Sequence, residues 1–106
     1  MNYSVELSPD AQFDIESIYQ HYISNTNSQV AEKLLLQIDN AIISLENEPL
    51  RGHHPRELQS GISECKEILT AQFRFIYRIE NKRVIILIVL HQKQSVQKAL
   101  ANRLLH

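Results

Sequence analysis

Residues 72–92 read QFRFIYRIENKRVIILIVLHQ, and the rest of the chain has to be arranged around them. Phe73, Phe75, Tyr77 and Ile79 alternate with Arg74, Ile76 and Arg78, the period-two pattern of a strand with one apolar and one partly charged face. Glu80, Asn81 and Lys82 supply a short polar turn, and 84–90 is an unbroken apolar run rich in β-branched residues. Such a run needs cover on both faces, so the second arm of the hairpin is expected at the centre of a sheet. Arg74, Arg78 and His91 sit on or at the end of these strands. A small chain that places cations there has either paired them internally or reserved them for an anionic partner.

Before the hairpin, residues 63–69 read as another strand, with Cys65, Glu67 and Leu69 on one side and Lys66 and Ile68 on the other; Thr70 and Ala71 turn it into the next. At the start of the chain, Tyr3, Val5 and Leu7 alternate with Ser4 and Glu6, predicting a short strand over 2–7. Ser8-Pro9-Asp10 is a helix start: serine caps free amides, proline suits the first helical position, and the acid favours the positive end of the dipole. Ile15, Ile18, Tyr19, Tyr22 and Ile23 then recur at helical spacing as far as Ser24. After a polar turn over 25–28, with Ser28 placed as a cap, Ala31, Leu34, Leu35, Ile38, Ala41, Ile42 and Leu45 mark a second and stronger amphipathic helix. Residues 48–61 form a long loop punctuated by Pro49, Gly52, Pro55 and Gly61 and carrying Arg51, His53, His54 and Arg56. Past His91, Val96, Leu100, Arg103 and Leu104 line a terminal helix capped by Ser95.

The predicted order is strand, helix, helix, strand, strand, strand, helix, in one α+β domain over residues 1–106. Its last three strands form an antiparallel meander, and the helical pair is a crossover that returns parallel to the first strand and packs on one face of a mostly antiparallel sheet. With 106 residues the chain is long enough for one core without staples. Its longest apolar run falls well short of the ~20 residues needed to span a bilayer, and no basic, hydrophobic leader opens it. The lone Cys65 fits a reducing compartment, and a cytoplasmic location is expected.

The overall charge of −1 conceals an imbalance. Residues 1–50 hold one basic side chain, Lys33, against eight acidic ones, a net of −7; residues 51–106 hold ten Lys or Arg against four acids, a net of +6. This predicts an acidic helical side and a basic sheet side facing a nucleic acid or an acidic protein, unless the helices neutralise the sheet internally. His53 and His54 lack a cysteine or carboxylate at zinc-site spacing, and with only two glycines there is no phosphate-binding loop, so neither a metal nor a nucleotide cofactor is expected.

Metal-free RNA cleavage requires a base, an acid and a cation for the phosphorane charge, and Arg74 with His91 is the natural pair. If the hairpin turn holds two residues, Arg74 lies opposite Val89 and Gln72 opposite His91, and both candidate side chains share one face; with three residues they point to opposite faces. The residues themselves leave both registers open.

The segments LSPDAQFDIESIYQHY, RGHHPREL and CKEILTAQFRFIYRIENKRVIILIVLHQKQ, with the helical tail, resemble the RelE/ParE superfamily of toxins from type II toxin–antitoxin modules. That resemblance implies a small βααβββ fold, growth arrest, a role in plasmid stabilization, and neutralisation by a cognate antitoxin that folds along the toxin surface. No small-molecule substrate and no membrane are implied. RelE-like members are ribosome-dependent messenger RNA endonucleases with sheet cations and a late Tyr or His; here Arg74 and His91 match, but no Tyr follows Tyr77 and fifteen residues follow His91. ParE-like members inhibit DNA gyrase and have a fuller C-terminal extension, and this chain is more similar to them. In that branch Arg74, Arg78, His91 and Lys93 are the expected target contacts; in the nuclease branch Arg74 stabilises the transition state and His91 serves as acid or base.

Overall fold

The computed structural model describes residues 3–53 and 65–92, which form, in chain order, strand β1 (Ser4–Leu7), helix α1 (Pro9–Asn25), helix α2 (Ser28–Asn47), a 3-10 turn (Pro49–Arg51), and strands β2 (Lys66–Leu69), β3 (Phe73–Glu80) and β4 (Arg83–His91). The predicted terminal helix, Lys93, His54, Arg56 and the first residues of the predicted 63–69 strand lie outside the described residues.

Four strands make one sheet in the order β1-β4-β3-β2. β2–β3 and β3–β4 are antiparallel, and the α1–α2 crossover brings β1 parallel to β4, with Val5 beside Val84 and Leu7 beside Ile86. β4 is therefore an inner strand, as its continuous apolar run requires. The two helices cover one face. There Leu34, Ile38, Ala41 and Leu45 of α2 and Ala11 of α1 pack on Phe73, Phe75, Tyr77, Val84, Ile86 and Val89. On the other face Cys65, Ile76, Ile88 and Leu90 form a second buried cluster.

Both helix starts follow from short polar side chains at the caps. The Ser8 hydroxyl accepts the Ala11 amide at 3.0 Å, with Pro9 in the first helical position. α2 is capped by Asn27, whose amide oxygen accepts from the Val30 amide at 3.0 Å, and not by Ser28. The cap must stand three residues before the amide it satisfies, and Asn27 meets that spacing where Ser28 is already the first helical residue.

Two features set the hairpin register. Glu80 pairs with Arg83 across a two-residue turn in which Asn81 takes a left-handed φ of 58°, a conformation asparagine tolerates better than most residues. Farther along, Tyr77 pairs with Ile86 but Ile76 pairs with Ile88, so Leu87 is an extra residue in β4, a β-bulge. The bulge lies just beyond the end of β1, where helix α1 takes over the exposed edge of β4. The Ser8 hydroxyl donates to the Leu87 carbonyl at 3.0 Å, and the Asp14 carboxylate accepts the Val89 amide at 3.0 Å. Two side chains thus replace the missing strand neighbour for these backbone groups.

Candidate functional site

The turn has two residues, yet the bulge shifts the far half of the hairpin by one. Arg74 therefore lies beside Leu90, and Phe73 beside His91. Cross-strand partners share a face and consecutive residues alternate, so Arg74 and His91 project from opposite faces of the sheet. His91 stands on the helix-covered side, with its ring edge-to-face against Phe73 at 5.9 Å. Arg74 projects from the other side, and the sheet does not bring the two together.

On that outer face the partner of Arg74 is a carboxylate. Its guanidinium forms a two-pronged pair with Glu67 of β2, Nε to Oε1 at 2.6 Å and Nη2 to Oε2 at 3.1 Å. Side-chain exposure is 12% for Arg74 and 4% for Glu67. The fork matches carboxylate geometry and satisfies both carboxylate oxygens away from water, which makes the bond directional and hard to exchange. Glu67 is further tied to His53, whose backbone exchanges hydrogen bonds of 2.6 and 3.1 Å with it and whose imidazole Nε2 lies 3.9 Å from Oε2. His53 remains 63% exposed.

The other sheet arginines are paired at the surface. Arg78 Nη2 meets Glu80 at 2.6 Å, with the side chains 46% and 39% exposed. Arg83 grips Glu6 of β1 at 2.6 and 3.1 Å, and this hydrogen bond holds the Glu6 carboxyl below the usual carboxylate range. Arg74, Arg78 and Arg83 thus each meet an acid of the sheet itself: Glu67, Glu80 and Glu6. Glu67 is the residue sequence reading missed: an acid at an apolar strand position signals a buried partner, but the partner's identity depends on register. Lys93 lies outside the described residues.

A second arrangement fixes the loop entering this region. The buried Tyr77 hydroxyl donates to the Pro49 carbonyl at 2.5 Å. Gly52 comes so close that a Cβ there would lie 2.1 Å from that hydroxyl oxygen. Burial raises the Tyr77 pKa, opposed by the Gly52 backbone hydrogen bond and the Arg51 charge. Residues 49–52 are thus pinned to the middle of β3.

Among the described residues no cluster of three or more His, Cys, Asp or Glu is placed to hold a metal ion, and no helix is long and apolar enough to cross a membrane.

Solved structures share this architecture. A chain of the chromosomal ParDE toxin–antitoxin system from P. aeruginosa superposes with a TM-score of 0.71 at 18% identity, over 84% of this chain and 95% of that one. A chain of the RelBE2 toxin–antitoxin complex from Mycobacterium tuberculosis gives 0.62 at 21% identity, over 87% and 100%. The isolated E. coli RelE toxin gives 0.52 at 17%, over 98% and 99%. No curated protein matches the sequence significantly. The helical pair on a mixed four-stranded sheet is the RelE/ParE toxin fold. Residues 5–96 match the family described as the ParE toxin of the type II toxin–antitoxin system, parDE, and the chain belongs to that family.

Proposed function

We propose that this type II toxin is a binding inhibitor of DNA gyrase, not a nuclease, and that a cognate antitoxin neutralises it in the cytoplasm. The observation that carries the reading is the separation of Arg74 from His91 by the thickness of the sheet, with Arg74 held in a buried fork by Glu67. A phosphorane needs an uncommitted cation and an acid–base group around one atom. Here the cation is already neutralised and the imidazole faces the helices. The match to the ParE family supports the same branch.

Within this reading the four expected contacts differ in what they can contribute. Arg78 pairs with Glu80 at the surface, and such exposed pairs are worth only about 0–1 kcal/mol, so a target carboxylate or phosphate can displace Glu80 at little cost. Arg74 stays on Glu67 and shapes the outer face without leaving it. His91 and Lys93 follow at the end of β4 and just beyond. Growth arrest and plasmid maintenance follow from blocking gyrase until the antitoxin is replenished.

The test is to titrate purified toxin into gyrase with relaxed plasmid, beside toxin in translating ribosomes. Loss of supercoiling with intact messenger RNA is expected. Intact supercoiling with ribosome-dependent RNA cleavage would reverse the assignment. If both reactions are untouched while the antitoxin still binds, the chain is an inactive, purely interacting member of its family.

A further inference from the structure

We infer that Ser8, the cap of α1, and Asp14, on its second turn, set the register of β4: by holding the bulge at Leu87 they keep His91 off the face that carries Arg74. The functional meaning of this lock rests on the binding-inhibitor reading above, which turns on the separation of those two side chains. The apolar run does not fix that separation by itself. Tyr77 pairs with Ile86 on the near side of the bulge. Continued from there without an extra residue, the hairpin would set Arg74 opposite Val89 and Gln72 opposite His91, and every residue from 88 to 91 would change face. Ile88 and Leu90 would exchange places with Val89 and His91, and three of those four side chains are aliphatic. Apolar burial therefore discriminates weakly between the two arrangements, and the choice falls to directional bonds.

Those bonds come from α1 and its cap. In a regular strand the backbone groups of successive residues point to alternate sides. Here the Ile86 carbonyl accepts from the Ser8 amide at 2.9 Å, and the very next carbonyl, that of Leu87, accepts from the Ser8 hydroxyl at 3.0 Å. Two consecutive carbonyls aimed at one residue are what the extra residue makes possible. Alternation then resumes out of phase, so that the Val89 amide turns away from β3 and donates to the Asp14 carboxylate at 3.0 Å.

The slipped register would forfeit both contacts. Gln72 bonds across to the Gln92 amide, so by alternation Arg74 and Ile76 also turn their backbone groups to β4. Their slipped partners are Val89 and Leu87, whose amide and carbonyl groups would then point to β3 and leave Ser8 and Asp14 behind. Each bond thus exists in one register only, which is the condition for a group to bias a choice between two states. The side chains at the far end record the outcome. The His91 ring lies against Phe73 on the helix-covered face at 5.9 Å, whereas Arg74 is forked to Glu67 on the other. In the slipped register the imidazole would stand on the outer face, two residues from Arg74 on that face. Ser8 and Asp14 are positioning residues, acting on these two side chains through the backbone of β4.

The test reads the register of the intact toxin by NMR, from the contacts of the His91 ring and from cross-strand amide contacts, with no target present. Asp14→Ala should add a second set of β4 signals in which His91 meets Gln72 and Arg74 in place of Phe73, the slipped form rising about tenfold or more for the loss of a hydrogen bond to a charged group. Asp14→Asn, which keeps an acceptor oxygen, should hold the register. Ser8 has two bonds to separate, since its oxygen also accepts the Ala11 amide. Ser8→Asp keeps that cap but has no hydrogen to give the Leu87 carbonyl and should slip, whereas Ser8→Thr should not. If Asp14→Ala fails to fold, the Ser8 pair, which leaves the cap in place, decides. A single unchanged set of signals in folded Asp14→Ala and Ser8→Asp, with His91 still against Phe73, overturns the inference even if both melt earlier. Absence of gyrase inhibition by the unmodified toxin, with the register behaving as described, refutes the reading above instead.

Discussion

The two faces of the sheet are held by different physics. Under the helices Phe73, Phe75, Tyr77, Val84, Ile86 and Val89 meet two amphipathic helices in an apolar layer. On the outer face a smaller cluster of Cys65, Ile76, Ile88 and Leu90 adjoins the Glu67–Arg74 fork. The apolar layer is nondirectional and tolerates exchange among similar shapes, whereas the fork demands one acid and one arginine in one register. The first provides stability. The second fixes which side chains the outer face can offer to a partner.

The largest effect should come from the apolar layer: Phe75→Ala, at a position with no exposure, is expected to cost about 3–5 kcal/mol in a denaturant melt. Next, Glu67→Ala removes the two-pronged carboxylate partner of the largely buried Arg74 and should cost about 3 kcal/mol. Replacing both members with leucine should recover most of that loss, since a buried pair against a packed apolar pair is close to neutral. If Glu67→Ala unfolds as little as a surface substitution, the contrast between the faces is wrong.

Tyr77→Phe removes one buried hydrogen bond to the loop and is expected to cost about 1–2 kcal/mol. The same tyrosine gives the contrast a pH dependence. Its folded pKa lies above the ordinary tyrosine value of 10.0, so its stabilising contribution is fully present below that pH and is lost as pH rises through the higher folded value. Stability of the unmodified toxin should therefore fall more steeply above pH 10 than that of Tyr77→Phe, as read by melting temperature. The smallest effect belongs to the exposed Arg83–Glu6 pair. Glu6→Gln should lower stability only slightly at low salt, and the difference should vanish at high salt.

The hairpin was legible because alternation, a polar turn and an apolar run all point the same way. α2 was legible because its apolar residues recur at three and four, and the parallel return of β1 follows from a two-helix crossover. The bulge was not legible: in an apolar run such as 84–90 no polar residue marks the phase, so an extra residue at Leu87 leaves no trace in the pattern. That one residue places Arg74 and His91 on opposite faces. Glu67 was visible as an acid in a strand, but its bond to Arg74 depends on how β2 and β3 register, a tertiary fact. Asn27 and Ser28 are both good caps, and only the helix start tells which one serves.

The most direct test is primer-extension mapping of messenger RNA in translating ribosomes with unmodified toxin and His91→Ala, each matched to a gyrase supercoiling assay. No cleavage with either protein, together with gyrase inhibition by the unmodified toxin, is the expected result. Cleavage by the unmodified toxin that disappears in His91→Ala would contradict it, because it would require the imidazole to act despite facing away from Arg74.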